Sequence, residues 1–176
     1  MILTGPQIAH ECALGRLVLD PFDKEQVQPN SYNLALGPNL IHYTGTVLDT
    51  RQENAFETTV IPDEGLVLRP DRIYLGASVE VLGSDHYVPI IRSRSGAARL
   101  GMFVHVTADL IDIGSTGQTT FQLHAVQPVR VHAGDRLAQV TFWHTCGRVV
   151  LYNGKYQGSV GPQPSRIHRD ALQERA

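Results

Sequence analysis

A cluster of basic and small residues is the first feature of the sequence that could do chemistry. The stretch IIRSRSGAARLG, at positions 90–101, leaves an apolar run and carries Arg94, Ser95, Gly96 and Arg99. Arginine side chains, together with backbone N–H groups exposed at a turn of small residues, bind anions well. The pattern favours a phosphate site, although a capped surface helix with solvated arginines would have the same residues.

The strand-like stretch TGQTTFQLHAV, at positions 116–126, is a second candidate. Its alternation predicts one apolar face and one polar face centred on Gln122, with His124 on the same face. A glutamine can donate and accept hydrogen bonds, but it cannot act as a general acid or base at pH 7. His124 could carry a proton, or it could be an ordinary half-exposed strand residue. Asp112, just upstream, is typical of a turn before Gly114.

A glycine-rich segment near the end of the chain is the third candidate. The stretch YNGKYQGSVGP, at positions 152–162, places Lys155 between Tyr152 and Tyr156. Such a segment is typical of a mobile loop that closes over a ligand, and also of an ordinary tail. The polar residues 165–176 that follow predict a frayed helix or a disordered end.

Short strands must position these groups. The predicted strands are 31–36, 65–70, 72–78, 87–91, 101–106, 116–126, 128–132 and 137–143, separated by glycine, proline and aspartate. Many short strands with frequent turns predict an all-β barrel or sandwich. Thr4 predicts the start of a first helix with Pro6 in its first turn, and a short helix is predicted between Ser95 as cap and Gly101.

Length and composition exclude several classes of protein. The 176 residues predict a single domain, and residues 152–176 are expected to form a mobile tail. A net charge of −2 and an isoelectric point near 6.4 argue against a nucleic-acid-binding surface. The two cysteines match no zinc spacing. With no signal peptide and no membrane-length apolar run, we expect a cytoplasmic protein that does not bind membranes.

Several blocks resemble one known family. RSGAARLG, TADLIDIGSTGQTTFQL and GKYQGSVGP occur in the order seen in the dCTP deaminase and dUTPase superfamily. The opening block 15–37, GRLVLDPFDKEQVQPNSYNLALG, resembles the dCTP deaminase branch. The resemblance implies a distorted jelly-roll β-barrel that forms a homotrimer with active sites between subunits. It also implies a nucleoside triphosphate ligand, most often a pyrimidine nucleotide, with Mg²⁺ bound through its phosphates and no metal held by the protein itself.

The resemblance also assigns site residues. It implies phosphate contacts from Arg94, Ser95, Gly96 and Arg99. It implies backbone contacts to the base from Thr107 and Ala108. The closing tail would contribute Tyr152, Lys155 and Tyr156. Ser115 stands where the family usually has an aromatic residue under the deoxyribose, so we expect relaxed or altered sugar discrimination.

Two chemistries compete within the family. Its metal-free deaminases use a glutamate as proton carrier, and Gln122 occupies that position here, with no other glutamate between Glu80 and Glu174. The dUTPase branch uses an aspartate that matches Asp112. We therefore expect a nucleoside triphosphate diphosphatase, with Asp112 as base and Gln122 recognising the nucleobase. The alternatives are a dCTP deaminase, with Gln122 engineered or bypassed through His124, and a non-catalytic nucleotide-binding trimer.

Overall fold

The computed structural model describes residues 1–173, which form short strands, three α-helices and one 3-10 helix (Lys24–Gln26). The α-helices are α1 (Gly5–Ala13), α2 (Ser95–Arg99) and α3 (His168–Gln173). The strands are β1 (Val18–Asp20), β2 (Val27–Gln28), β3 (Ser31–Tyr43), β4 (Phe56–Val60), β5 (Leu66–Leu68), β6 (Tyr74–Gly83), β7 (Val88–Ser93), β8 (Met102–Phe103), β9 (Thr116–Ala125), β10 (Val129–Val131) and β11 (Arg136–Trp143).

Most of these strands form one curled, nearly closed sheet in the order β7-β11-β3-β6-β9-β8, to which β1, β2 and β4 add at the sides. Strands β5 and β10 pair separately. The prediction of an all-β, distorted jelly-roll barrel with short helices is confirmed. The homotrimer and the single domain stay predictions.

Strand β3 joins the two halves of the barrel because it changes partners along its length. Its first half pairs with β2 and β11, and its second half pairs with β4 and β6. The change falls at Gly37 and Pro38, where the register with β6 shifts. Proline has no N–H for a ladder, and a Cβ on Gly37 would lie 3.1 Å from the carbonyl oxygen of Ala77. The strand can therefore bend here and curl the sheet around its core.

Beside this bend, a buried carboxylate accepts a hydrogen bond from a backbone N–H. Glu80 is 1% exposed, and its side chain accepts hydrogen bonds from the Ala35 N–H at 3.0 Å and from the Gln26 amide at 2.8 Å. Glu80 lies on β6 within the stretch where the pairing with β9 is irregular. A buried N–H without an acceptor costs about 1–3 kcal/mol, so the carboxylate replaces a partner that the ladder lacks here.

Strand β9 has the two faces that its sequence predicts. Phe121, Leu123 and Ala125 are at most 1% exposed and pack in the core, whereas Gln122 and His124 remain partly exposed. β9 pairs antiparallel with β6. This pairing places the polar face on the outside of the barrel wall.

Some predicted boundaries differ from the structure. The predicted run 101–106 forms a strand only at β8, because the Val104 N–H leaves the ladder and donates to Ser93 Oγ at 3.2 Å. The prediction of Ser95 as a helix cap is wrong: Arg94 is the extended cap residue, and its carbonyl accepts from the Ala98 N–H. Gly101 follows α2 with φ of +73° and ends the helix as predicted.

The C-terminal segment, residues 156–166, runs along the polar face of β9. The Gly158 N–H donates to the Thr116 carbonyl at 2.9 Å. Further along, the Gly161 N–H donates to Gln118 Oε1 at 2.6 Å and the Gln163 N–H donates to Thr120 Oγ1 at 3.0 Å. Side chains of β9 thus replace part of a backbone ladder and hold the segment. The mobility of the tail stays a prediction, and its last three residues, 174–176, lie outside the described part.

An ion pair fastens α1 to the chain that follows it. Glu11 is 1% exposed, and its carboxylate accepts from Arg16 Nη2 at 2.7 Å and from Gln7 Nε2 at 2.7 Å. The hydrogen bond from Arg16 is the main cause that lowers the pKa of Glu11 from 4.5 to about 2, against the opposing effect of burial. The carboxylate is therefore charged in the folded state over most of the acid range.

Because the pKa of Glu11 is lower in the folded state, the stability of the fold depends on pH. The unfolded Glu11 binds a proton near pH 4.5 and the folded one only near pH 2, so its contribution is complete above pH 4.5 and is lost as the pH falls to about 2. We expect Glu11→Gln to lower the melting temperature near neutral pH, with the gap to the wild type closing over this window. Thermal unfolding followed by circular dichroism at several pH values measures the gap. A gap that is the same at every pH would contradict the assignment.

The contacts to β9 should control how often the C-terminal segment detaches. Thr120→Val removes the acceptor of the Gln163 N–H, and the loss of one such bond, about 1 kcal/mol, should expose the segment about fivefold more often. Trypsin should then cleave after Arg166 about fivefold faster. The matched control is Thr58→Val on the exposed strand β4. Equal cleavage rates in the wild type and Thr120→Val would show that this bond does not hold the segment.

Candidate active site

One cavity, the main cavity, lies between the polar face of β9 and the C-terminal segment. It has a volume of about 670 Å³. β9 contributes Gln118, Thr120 and Gln122, and the segment contributes Tyr156 and Gln163. Its size and its mixture of apolar walls with a few polar groups are typical of a small-molecule site.

The amide of Gln122 has a defined orientation in this cavity. Its Oε1 lies 3.3 Å from the Val106 N–H. Because a backbone N–H can only donate, the oxygen must face Val106, and the Nε2 hydrogens are left for other acceptors. Gln122 is also fixed through its own N–H, which donates to the Val104 carbonyl at 2.9 Å. The side chain therefore offers a hydrogen-bond donor to a ligand.

Four of the predicted site residues line the main cavity, namely Ala108, Ser115, Gln122 and Tyr156. Ser115 lies one residue before β9, and its N–H donates to the Asp112 carbonyl at 3.1 Å. The side chain of Asp112 is exposed on the same turn but does not line the cavity, and neither does Thr107. Altered sugar discrimination through Ser115 stays a prediction.

Asp71 is a carboxylate of the main cavity that sequence reasoning missed. It lies in the turn before β6, next to Arg72, which also lines the cavity. The hydrogen bond from Arg72, 3.2 Å long, lowers the pKa of Asp71, so this carboxylate is charged at neutral pH. His124, the proposed alternative proton carrier, does not line the cavity; its Nδ1 lies 3.4 Å from the Arg72 carbonyl. In the sequence, Asp71 belongs to a proline–aspartate pair that is typical of a turn, and no motif marks it as functional.

The predicted phosphate residues lie in a different place. Arg94, Ser95 and Gly96 line a second cavity of about 320 Å³, the arginine cavity, which shares no lining residue with the main cavity. Arg94 donates from Nη1 to the Arg136 carbonyl at 2.9 Å. Arg99 is exposed and lines neither cavity. Within one chain, the structure therefore separates the predicted phosphate residues from the predicted base-binding residues.

The tail residues form a network of their own. The hydroxyl of Tyr152 accepts from the Tyr156 N–H at 3.1 Å, and the Tyr156 hydroxyl accepts from the Arg166 N–H at 2.8 Å. The Arg166 guanidinium lies over the Tyr156 ring at 5.5 Å. Lys155 pairs with Asp170 at 2.5 Å. Of the three predicted tail residues, only Tyr156 reaches the main cavity. Gln163 and Tyr43 also line it and were missed, since neither belongs to a recognised motif.

Among residues 1–173, no helix has the length and hydrophobicity of a transmembrane span. No three histidine, cysteine, aspartate or glutamate side chains within this range are grouped so that they could hold a metal ion.

Comparison with known proteins gives a family model and relatives that match this chain. Residues 2–145 match the family model described as dCTP deaminase-like. The chain is 41% identical to a protein of Clostridium acetobutylicum named dCTP deaminase, dUMP-forming, over 98% of this chain and 99% of that protein. It is 40% identical to a Cytophaga hutchinsonii protein of the same name, over 97% of this chain and 98% of that one.

A solved structure supports the fold. The crystal structure of 2′-deoxycytidine 5′-triphosphate deaminase from Agrobacterium tumefaciens matches with a TM-score of 0.64 and 24% identity. The match covers 80% of this chain, and this chain covers 47% of that one.

These names correct one expectation from the sequence. Our main expectation was a nucleoside triphosphate hydrolase that leaves the base unchanged, with Asp112 as its base. That expectation is wrong, because the relatives of about 40% identity over nearly the full length are named as deaminases. The alternative, deamination, agrees with them better, while the roles of Asp112 and Gln122 stay predictions. A family model that spans most of the chain and relatives that match it from end to end lead to one conclusion: the chain belongs to the dCTP deaminase-like family of enzymes.

Proposed function

We propose that this protein deaminates dCTP and releases dUMP. The observation that carries the proposal is the identity of about 40%, over nearly the whole length of both chains, to relatives named for that reaction. Formation of dUMP from dCTP consumes two waters: one replaces the amine at C4, which leaves as ammonia, and the other separates pyrophosphate from the α-phosphate. A main cavity of about 670 Å³ with a polar strand on one wall has room for a nucleoside.

Gln122 is proposed to hold the base. Cytosine offers acceptors at N3 and O2, and the Nε2 hydrogens of Gln122 are available donors because Oε1 faces Val106. The amide cannot take up or release a proton at pH 7, so it orients the ring and does not carry protons to N3. Water, or the charged Asp71 on the cavity wall, is left to carry them. Turnover should therefore be slower than with a carboxyl group at position 122.

Mg²⁺ is proposed to arrive on the substrate. Hard divalent cations prefer the oxygens of phosphates and carboxylates, and the exposed Asp112 carboxylate beside the main cavity is a suitable ligand. When bound, the ion would neutralise part of the triphosphate charge. The protein's own residues would bind the nucleotide and orient its base toward the water that replaces the amine.

The proposal is tested by product analysis. We expect purified protein incubated with dCTP and Mg²⁺ to yield ammonia and dUMP, which chromatography and an ammonia assay measure. Glu in place of Gln122 should raise the rate of ammonia release by about 10²–10⁴-fold, the usual contribution of a positioned acid–base group. No change of base in any cytosine nucleotide would overturn the proposed function. If the wild type releases ammonia as fast as the Gln122→Glu variant does, another group carries the proton.

We also propose that a second copy of the chain completes each site, as in a homotrimer. One nucleotide must reach its base and phosphate contacts together, yet the main cavity and the arginine cavity share no residue within one chain. Four large apolar side chains near α2 and β9 are 45–61% exposed, namely Leu100, Phe103, Val106 and Leu110. Four exposed, large apolar side chains within residues 100–110 are typical of an interface.

A shared site can be tested by mixing two defective variants. Arg94→Ala should damage the arginine cavity, and Gln122→Ala should damage the main cavity. If sites lie between subunits, unfolding and refolding the two variants together should restore about a quarter of the wild-type activity by random assortment. Each variant refolded alone serves as the control. Activity that never exceeds the sum of the controls would contradict the shared site.

A further inference from the structure

One stretch of chain, residues 104–110, touches both Gln122 and the main cavity, and we call it the cavity segment. Its Val106 N–H orients the Gln122 amide, and its Ala108 lines the main cavity. Residues 106–108 are nevertheless exposed, and Val106 is 45% exposed. Packing within the chain therefore does little to fix this segment, and its position depends on hydrogen bonds.

The end of strand β7 holds the first end of the cavity segment. The Val104 N–H donates to Ser93 Oγ at 3.2 Å. Val104 is 0% exposed, so water cannot easily replace this acceptor. The Val104 carbonyl in turn accepts from the Gln122 N–H at 2.9 Å. Ser93 thus fixes the residue to which the backbone of Gln122 is bonded.

The same end of β7 holds the other end of the segment, at Asp109. The Ile91 N–H donates to the Asp109 carbonyl at 2.8 Å, beside an antiparallel bridge between Ile90 and Leu110. Arg92 Nη1 lies 3.0 Å from Asp109 Oδ2. These two side chains are 55% and 29% exposed, so water weakens their attraction. The ion pair therefore adds a smaller restraint to that of the backbone hydrogen bond.

We propose that Ser93 and Arg92 are positioning residues that determine where the cavity segment holds Gln122 and the base. Neither lines the main cavity, so both act through the segment. The proposal rests on the proposed function, because the base to be oriented is the cytosine of dCTP. If the segment shifts, the Val106 N–H leaves Gln122 Oε1, and the amide can turn its Nε2 donors away from the base. Small displacements of this kind cost large factors in rate.

Ser93→Ala tests the first contact by steady-state kinetics. We expect kcat/KM for dCTP to fall about tenfold, because the segment is no longer held against Gln122. Ser93→Thr keeps the hydroxyl acceptor and should stay within about twofold of the wild type. Ser84→Ala is the matched control. The Ser84 hydroxyl also accepts from backbone N–H groups, those of His86 and Tyr87, but bonds to no described residue of the cavity segment. Its loss should lower stability and leave kcat/KM unchanged.

A double-mutant cycle tests the second contact. If Arg92 acts through Asp109, then Arg92→Met, Asp109→Asn and the double variant should all have a similar kcat/KM, about threefold below the wild type. If Arg92 contacts the substrate directly, Asp109→Asn will leave kcat/KM unchanged. That result would overturn the positioning role of Arg92.

Amide hydrogen exchange, measured by mass spectrometry on the full-length protein, distinguishes this proposal from the proposed function. Ser93→Ala should speed exchange about fivefold in peptides that cover the cavity segment and leave other peptides unchanged. Unchanged exchange in the segment, or faster exchange along the whole chain, would overturn the positioning role of Ser93. Faster local exchange with the kcat/KM of an active wild type would overturn it as well. Faster local exchange in a protein whose wild type does not deaminate dCTP would support the contact at Ser93 and overturn the proposed function alone.

Discussion

The bend of β3 is the constraint on which the rest of the barrel depends. A single strand that pairs with β11 at one end and with β6 at the other brings both halves of the sheet around one core. A bend interrupts the ladder, and the interruption leaves backbone groups to be satisfied in a place that water does not reach. Buried Glu80 meets that need at Ala35. An acidic residue therefore lies in the barrel wall for a structural reason, and it does not line the main cavity.

The position of β9 follows from the same architecture. Because β6 is fixed by β3, the pairing of β6 with β9 decides which side chains of β9 enter the core. Phe121 and Leu123 fill it, so Gln118, Thr120 and Gln122 must face outward. Two of these polar groups hold the C-terminal segment, and the third faces the cavity that this segment covers. One strand thus seals the core, anchors the chain terminus and contributes to the candidate site.

Local patterns predicted the features that depend on local rules. The alternation of polar and apolar residues identified the two faces of β9, and Gly101 identified the end of α2. Both signals depend only on a short stretch of the chain: the first on the two-residue period of a strand, the second on the backbone conformation of one residue. β4 was missed, since its mostly exposed residues lack an apolar face. The cavity residues Asp71, Tyr43 and Gln163 were missed for another reason. They come from three distant parts of the chain, and only the tertiary fold brings them together.

The chemistry was harder to predict than the fold. The argument from Gln122 considered what one side chain can do, and it was sound about the amide, but it led to the wrong reaction class for the family. The contact between Ser93 and Val104 has no signal in the sequence either, because the two residues meet only in the fold.

The contact between Gln122 and Val106 has a consequence for how such a site can evolve. The backbone N–H of Val106 needs only an oxygen, and glutamine and glutamate both supply one in the same place with almost the same volume. Exchange between the two residues therefore leaves the surrounding packing unchanged and alters a single atom, from a donor nitrogen to an accepting oxygen. Selection can adjust the chemistry at this position without a compensating change in the barrel, because the fold does not distinguish the two side chains.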